Sequence, residues 1–287
     1  EAVLPPAAPD GPCVSIRRFF KEKLTVAKLI EFGSLTDDAA SALYAFVASK
    51  LNIIVAGGTG SGKTSLLNAL SSYIPTGERV IVIEDSREVQ LQKPHVVHFE
   101  SRPPDPKGRG EITIRDLFRA SLRMRPDRIV VGEIRGGEAL DLVQAMTSGH
   151  GGCLATLHAT YPRDTMSRLE TMAMMSDVSM PLAALRIQVA SAVNVIVQTA
   201  RLADGSRRIT HVSEVIRYDR TEETYELRDL FLFDVEGTDD AGRVRGTLNP
   251  TGELPSFLPH LHAHGFDLPE SVHAAAKRKR GTKRAPI

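Results

Sequence analysis

The sequence has few of the residues that mark secreted or membrane-spanning proteins. Its 287 residues include no tryptophan and two cysteines, Cys13 and Cys153, and aromatic side chains make up 5% of the total. Two cysteines without metal-type spacing fit a reducing compartment, and they neither require nor exclude a disulfide. No run of about 18 apolar residues occurs, which argues against a transmembrane helix.

Charge of either sign is not in large excess. Thirty-six basic residues against 35 acidic ones give a net charge of +1. No global field therefore favours nucleic acid or an anionic membrane, and any such preference must come from local clusters. The start lacks the basic segment and apolar run of a signal peptide. Because residue 1 is glutamate rather than methionine, we expect the sequence to be part of a longer protein.

One glycine-rich stretch fits the pattern of a phosphate-binding loop. Residues 57–64 match G-x-x-x-x-G-K-[ST] and follow an apolar run at 51–55. Glycines let backbone N–H groups point at phosphate oxygens, and the helix that follows adds the positive end of its dipole. We expect Lys63 to contact the β- and γ-phosphates and Thr64 to bind magnesium. The predicted nucleotide-binding residues are Gly57, Gly58, Thr59, Gly60, Ser61, Gly62, Lys63, Thr64 and Ser65.

Further apolar runs end in polar residues, and this pattern predicts an α/β fold with a parallel sheet. In such sheets, ligands bind outside the carboxyl ends of the strands, where these polar residues fall. Three of these runs, with the polar residues that follow them, are 79–83 with Glu84 and Asp85, 129–131 with Glu133, and 153–157 with His158. A fourth apolar run, at 192–197, is a further strand candidate.

Three carboxylates are candidates for the base or water-orienting group that phosphoryl transfer requires, namely Glu84, Glu88 and Glu133. On spacing alone, a strand-end turn with a helix cap is an alternative interpretation of the strand-end acids. Gly132 precedes Glu133 in the Walker B strand, which is atypical for many P-loop enzymes.

An arginine-dense segment lies between these strands. Thr113 and Asp116 resemble a capping box, and the predicted helix after them repeats arginine every four residues at Arg115, Arg119 and Arg123. These arginines either form a solvated basic face or supply charge to the ATP of a neighbouring subunit. The candidates for that role in trans are Arg102, Arg115 and Arg125.

Two histidines flank the apolar run at 153–157. His150 and His158 lack further ligands at metal spacing, which argues against zinc. A histidine at a strand end can instead hydrogen-bond the γ-phosphate, and a structural role is the alternative. The methionine-rich segment 166–175 predicts a helix used in the core or in subunit packing.

Four blocks in order resemble the secretion and pilus-assembly traffic ATPases. They are the loop at 57–64, an aspartate-box-like segment at 83–89, a Walker B segment at 131–135 and a histidine box at 149–159. Finer wording at 113–117, 123–128 and 167–172 looks like the CpaF branch, which powers tight-adherence (Flp-type) pili. The resemblance covers residues 5–234, and the tetracysteine insert of the type II secretion branch is absent.

The resemblance implies a hexameric, magnesium-dependent ATPase with a RecA-like motor domain and a preceding N-terminal domain. It implies a cytoplasmic protein, peripherally associated with the inner face of the cell membrane through inner-membrane platform proteins, without direct nucleic-acid binding. Family roles match Arg17 to nucleotide binding, Glu84 to water activation and Glu133 to magnesium, although the sequence does not separate the last two roles. His158 matches the histidine box.

The expected organisation has four parts. Residues 1–30 hold the end of the N-terminal domain and a linker, 31–235 the ATPase domain, 236–276 a C-terminal extension and 277–287 a basic disordered tail. Within the extension, 237–252 is expected to be loop. The tail either contacts anionic lipid or nucleic acid or is simply solvated. Alternative functions are type IV secretion of protein or DNA, nucleic-acid translocation, and a ring scaffold without hydrolysis.

Overall fold

The computed structural model describes residues 2–16, 24–91 and 93–282, with side chains through residue 279. Most strands in these ranges join one sheet, in the order β11-β10-β9-β8-β3-β7-β6-β4-β5, and β1 pairs with β2 apart from it. The strands are β1 Ala2–Val3, β2 Cys13–Val14, β3 Ile53–Gly57, β4 Val80–Glu84, β5 Val96–Glu100, β6 Arg128–Val131, β7 Leu154–His158, β8 Val195–Arg201, β9 Arg207–Asp219, β10 Thr224–Thr238 and β11 Val244–Pro250.

The six strands from β8 to β5 pair in parallel, and β9, β10 and β11 extend the sheet in antiparallel pairing. All residues of β3, β4 and β6 are buried, which explains why these strands are nearly continuous apolar runs rather than alternating ones. The prediction of an α/β fold with a parallel sheet is confirmed.

Helices cover both faces of the sheet. Ile53 and Val55 point into one hydrophobic cluster with α2 and α3, whereas Ile54 and Ala56 point into a second with α4 to α7. The alternation follows from the two-residue period of a strand. The helices are α1 Val26–Glu31, α2 Asp37–Ala48, α3 Lys63–Ser71, α4 Ile114–Leu122, α5 Glu138–Thr147, α6 Pro162–Met174, α7 Leu182–Ala192, α8 Leu258–Ala263 and α9 Glu270–Thr282.

The capping box expected before α4 is present. The Thr113 side chain accepts a hydrogen bond from the backbone N–H of Asp116, and the Asp116 carboxylate accepts one from the backbone N–H of Thr113. Two of the four orphan N–H groups at this helix start are thereby satisfied. The box fixes where α4 begins, and so it fixes the position of Arg115 in the first turn.

Several boundaries differ from those expected. Strand β10 continues to Thr238, across the boundary expected at 235, and the expected loop at 237–252 contains the hairpin of β10 and β11. Helix α9 runs through 277–282, so the expectation of disorder is wrong for those six residues. Residues 283–287 lie outside the described residues. Strand β5 was not expected, because its histidine and glutamate interrupt the apolar pattern.

The segment after β11 packs back on helix α2. Phe257 meets Phe46 with ring centroids 5.2 Å apart, and Phe266 meets Tyr44 at 5.6 Å, both edge to face. Leu261, Leu268 and Val272 belong to the same hydrophobic cluster as α2 and α3. The part of the chain that the structure describes contains no helix long and apolar enough to cross a membrane.

Candidate nucleotide-binding site

The glycine-rich loop connects the central strand β3 to helix α3. Gly57 ends β3 between His158 of β7 and Thr199 of β8, so the loop starts at the carboxyl edge of the sheet. Gly62 is the N-cap of α3 with φ of 99°, a left-handed conformation that strongly favours glycine. No side chain caps this helix start. The first N–H groups of α3 and its dipole therefore form an anion site.

Lys63 lies folded into the loop at the first position of α3. Its Nζ donates hydrogen bonds to the carbonyl oxygens of Gly57 at 3.1 Å and Gly58 at 3.0 Å. The same Nζ is 3.3 Å from Nδ1 of His158. Lys63 is only 8% exposed. Because a buried ammonium is stabilised by partners of negative charge, this position suits an anion held by the loop.

A chain of charged groups extends from Lys63 along the carboxyl edge of the sheet. His158 Nε2 lies 2.6 Å from Oε1 of Glu133. Arg135 donates from Nε to Oε2 of Glu133 at 2.7 Å, and from Nη1 to Oδ2 of Asp85 at 2.8 Å. The residues expected after β4, β6 and β7 are thus brought together, as the parallel topology predicted.

The pKa of His158 is lowered, first by burial and then by the positive charge of Lys63, while Glu133 acts in the opposite direction. The imidazole is therefore held toward its neutral form. The pKa of Arg135 is raised, chiefly by its hydrogen bonds to Glu133. One neutral ring and one guanidinium consequently hold the two oxygens of the Glu133 carboxylate.

Glu84 ends β4 and is 5% exposed. Its Oε1 accepts hydrogen bonds from the backbone N–H groups of Val89 at 2.8 Å and Glu88 at 3.1 Å. Burial raises the pKa of Glu84 and is the largest influence, although these two hydrogen bonds oppose it. Glu84 is thus a fixed carboxylate with raised basicity, a combination typical of a general base.

An open cleft of about 680 Å³ lies beside this charged chain. It is lined by the residues after β4, by the Walker B turn and by the first turn of α4, and it includes Arg102, Arg115 and Arg135. Arg102 donates from Nε to the carbonyl of Gly110 at 2.7 Å. The same cleft is therefore lined by three arginines and by Asp85 and Glu133, and of these arginines Arg135 is the one shown to contact both carboxylates.

Arg115 is engaged within the chain. Its Nε donates to Asp141 at 2.7 Å, and its guanidinium also pairs with Asp177. Both aspartates raise the pKa of Arg115, the hydrogen bond to Asp177 being the larger influence. Arg119 shares Asp141 at 3.0 Å. Two arginines of the expected ridge thus meet aspartates instead of forming a purely solvated face.

The other two predicted arginines lie elsewhere. Arg125 follows α4 and precedes β6, so it lies at the amino edge of the parallel strands, opposite the loop. The structure does not bring it to the site of its own chain. Arg17 lies outside the described residues.

The residues of the loop fit a nucleotide phosphate. A Cβ on Gly58 or Gly60 would meet no atom within 4 Å, which leaves open space over the loop, and α3 presents an uncapped amino end. Among the residues described, no group of three histidine, cysteine or acidic side chains forms a metal site.

Comparison with known proteins identifies the family. Residues 2–242 match the family described as Type II/IV secretion system protein. The chain belongs to this family. A putative conjugal transfer protein of Mycobacterium tuberculosis is 41% identical over 213 residues, which are 74% of this chain and 60% of that protein. The type IV secretion system protein PtlH of Bordetella pertussis is 42% identical over 160 residues, 54% of this chain and 47% of that protein.

Solved structures agree with the family assignment. The VirB11 ATPase of the Brucella suis type IV secretion system, in complex with sulphate, superposes with a TM-score of 0.55 at 35% identity, covering 69% of this chain and 60% of that one. The pilus retraction motor PilT with bound ADP gives 0.52 at 23% identity, covering 74% and 55%, which supports the fold alone. This type II/IV secretion system protein therefore has the expected RecA-like α/β fold, and its family implies nucleotide binding. The chain spans about three fifths of the first relative's length.

Some residues that contact the site were not expected from the sequence. Arg135 belongs to the Walker B segment, and its position two residues after Glu133, at a strand end, could have indicated that it contacts the site. Thr199 donates from Oγ1 to Ala56 at 3.0 Å and is 2.8 Å from the hydroxyl of Ser61. Arg207 reaches Gly60 from β9. The last two come from distant segments, and no local pattern indicates them.

Proposed function

We propose that this chain is the motor part of an ATP-hydrolysing hexamer that powers pilus assembly, pilus retraction or secretion through an inner-membrane platform. One observation carries the proposal. The loop lysine Lys63, the histidine-box residue His158 and the Walker B residue Glu133 form a continuous chain, with 3.3 Å and 2.6 Å between their side-chain atoms. Because this chain of contacts begins in the phosphate loop, a movement of Lys63 would alter the contacts of His158 and Glu133, which lie outside the loop.

Each residue of the loop has a proposed task. The N–H groups at the start of α3 bind phosphate oxygens, and Lys63 turns from the carbonyls of Gly57 and Gly58 to the β- and γ-phosphates. Thr64 and Glu133 hold magnesium, which when bound neutralises charge on the phosphates. His158, kept neutral by burial and by Lys63, senses the γ-phosphate by a hydrogen bond.

The two glutamates have separate proposed tasks. Glu84 orients water and takes its proton, which its raised pKa and its fixed position support. Glu133 is instead held by contacts to His158 and Arg135, which supports a role beside the metal rather than as the base. The assignment of the base to Glu84 follows from this difference in environment.

The arginines beside the cleft support a ring. Arg102 and Arg115 line an open surface next to Asp85 and Glu133 rather than an enclosed pocket. We propose that a neighbouring subunit closes over this surface and that Arg115 then exchanges Asp177 for the neighbour's phosphate. The ring is cytoplasmic and meets the membrane peripherally, through the platform. Within the family, the CpaF-type pilus motors remain our proposed branch.

A second candidate is transfer of protein or DNA by a type IV secretion system. The names of the relatives favour it, because they include a putative conjugal transfer protein and PtlH of type IV secretion. A nucleic-acid translocase would hydrolyse ATP faster with DNA or RNA present and would lose this stimulation steeply with salt. ATPase rates measured with and without nucleic acid at two salt concentrations separate a motor that acts on nucleic acid from one that acts on protein.

The central test is hydrolysis by purified protein. We expect K63A and E133A to lose at least about 100-fold in kcat, since K63A removes the positive charge at the phosphates and E133A removes a proposed partner of magnesium. K93A is the matched control, because Lys93 is bonded to the carbonyl of Ser72 and lies outside the site. Wild-type rates in K63A or E133A would contradict the site assignment. Nucleotide binding without turnover in the unmodified protein would favour a ring scaffold.

A further inference from the structure

The phosphate loop has a contact from a strand outside the parallel part of the sheet. Arg207, the first residue of β9, donates a hydrogen bond from Nε to the carbonyl oxygen of Gly60 at 2.9 Å. Its Cδ lies 3.5 Å from the position that a Cβ on Gly62 would take. The arginine stem therefore passes along the loop at Gly62, while the guanidinium holds the loop at Gly60.

The segment around Arg207 is also bonded to the chain that follows helix α1. The hydroxyl of Ser34 donates to the carbonyl of Arg207 at 2.6 Å, and the N–H of Ile209 donates to the carbonyl of Ser34 at 3.1 Å. Arg208 donates to the carbonyl of Phe32, the C-cap of α1, at 2.6 Å. Two consecutive arginines thus face different partners, the phosphate loop and the segment between α1 and α2.

We propose that Arg207 is a positioning residue of the nucleotide site, which fixes the phosphate loop and ties its position through Ser34 to the segment between α1 and α2. The proposal rests on the proposed nucleotide-binding function of the loop. Gly60 has φ of 70° and no neighbour within 4 Å of a Cβ position, so the loop itself supplies little packing there. A charge-assisted hydrogen bond is then a large share of what holds Gly60.

The chemistry predicts which kinetic constant changes. The loop N–H groups contact phosphate oxygens in the ground state and in the transition state alike, so a misplaced loop weakens the binding of both states equally. Such a loss of uniform binding raises KM and leaves kcat nearly unchanged. Loss of a residue in the chemical step would lower kcat instead.

The test compares arginine variants of one hairpin in otherwise intact protein. We expect R207Q to raise the Kd for fluorescent ADP and the KM for ATP by at least about 10-fold, the effect of losing one hydrogen bond from a charged donor, with kcat within about twofold. R207K keeps a donor and is expected to restore at least half of the affinity. R201Q is the matched control, because Arg201 pairs with Arg207 across the hairpin.

Three results would overturn the inference. These are an unchanged Kd in R207Q, an equal rise in R201Q, or an R207Q effect confined to kcat. S34A tests the tie to the segment between α1 and α2. It is expected to raise the Kd by about twofold, the effect of losing one neutral hydrogen bond, and an unchanged Kd would contradict this part of the inference. K63A separates the two proposals. If K63A binds ADP as tightly as wild type does, the proposed function is contradicted. If K63A loses affinity for ADP as expected while R207Q does not, only the role of Arg207 is contradicted.

Discussion

Gly132 lies directly against the side chain of Glu84. A Cβ on Gly132 would be 2.7 Å from Cγ of Glu84, closer than real Cβ atoms approach, and 3.1 Å from its Oε1, which is an unusually tight contact. The glycine before Glu133, atypical for a Walker B strand, therefore has a physical reason. It leaves room for the carboxylate of the neighbouring strand.

This contact predicts the effect of G132A. The added methyl group must displace Glu84, so we expect kcat to fall by about 100-fold, as is typical when a general base is misplaced. The Kd for ADP should stay within about twofold, because the phosphate loop is unchanged. G77A is the control, since a Cβ on Gly77 meets no atom within 4 Å. A normal kcat in G132A would argue against Glu84 as the base.

The raised pKa of Glu84 predicts the acid limb of the pH profile. A base acts only when it is ionised, and a raised pKa means that ionisation is complete only at higher pH. We expect kcat to fall on acidification with an apparent pKa above the ordinary glutamate value of about 4.3. Rates measured between pH 5 and 9 test this.

A single substitution tests whether that limb belongs to Glu84. The charge of Glu100, its cross-strand neighbour, also raises the pKa of Glu84. E100Q should therefore move the acid limb to lower pH and preserve the maximal kcat, whereas E84Q should abolish the limb. If the limb does not move in E100Q and persists in E84Q, it arises from another ionisable group.

Lys63 and His158 predict a second titration. Burial and the charge of Lys63 both lower the pKa of His158. Removing the ammonium in K63A takes away one of these causes and exposes the ring, so the pKa of His158 should rise. Histidine NMR titration of wild type and K63A, with H158Q to assign the signal, measures the change. A fall, or no change, would contradict the Lys63–His158 contact.

Arg115 predicts a dependence on protein concentration. If it acts on a neighbour's nucleotide, R115A should lower kcat by about 10³-fold or more, as for other arginines of this kind, and abolish the increase of specific activity with concentration. The fold should tolerate the change, because Asp141 keeps its bond to Arg119. R123A is the control, because Arg123 lies at the opposite end of the same helix, as its C-cap. An unchanged concentration dependence in R115A would contradict the role in trans.

The positions of the strand-end residues could be predicted because the parallel sheet has a simple rule. Each apolar run is a buried strand, and the carboxyl ends of these parallel strands lie at one edge of the sheet. Glu84, Glu133 and His158 therefore had to lie near the loop. The hairpin of β10 and β11 was missed, since exposed edge strands carry polar residues and glycine that look like loop. Helix α9 was missed for a related reason, because a run of basic residues gives no apolar period.

The sequence by itself determined the place of the glycine-rich loop between β3 and α3, the α/β class and the set of strand-end residues, because these depend on local pattern and on the direction of parallel strands. Only the tertiary structure decided which residues touch. It paired Glu133 with His158 and Arg135, Arg115 with two aspartates, Glu84 with Gly132, and Arg207 with Gly60. Most of these contacts join segments far apart in the chain, and such pairings are fixed by the packing of the whole sheet and its helices.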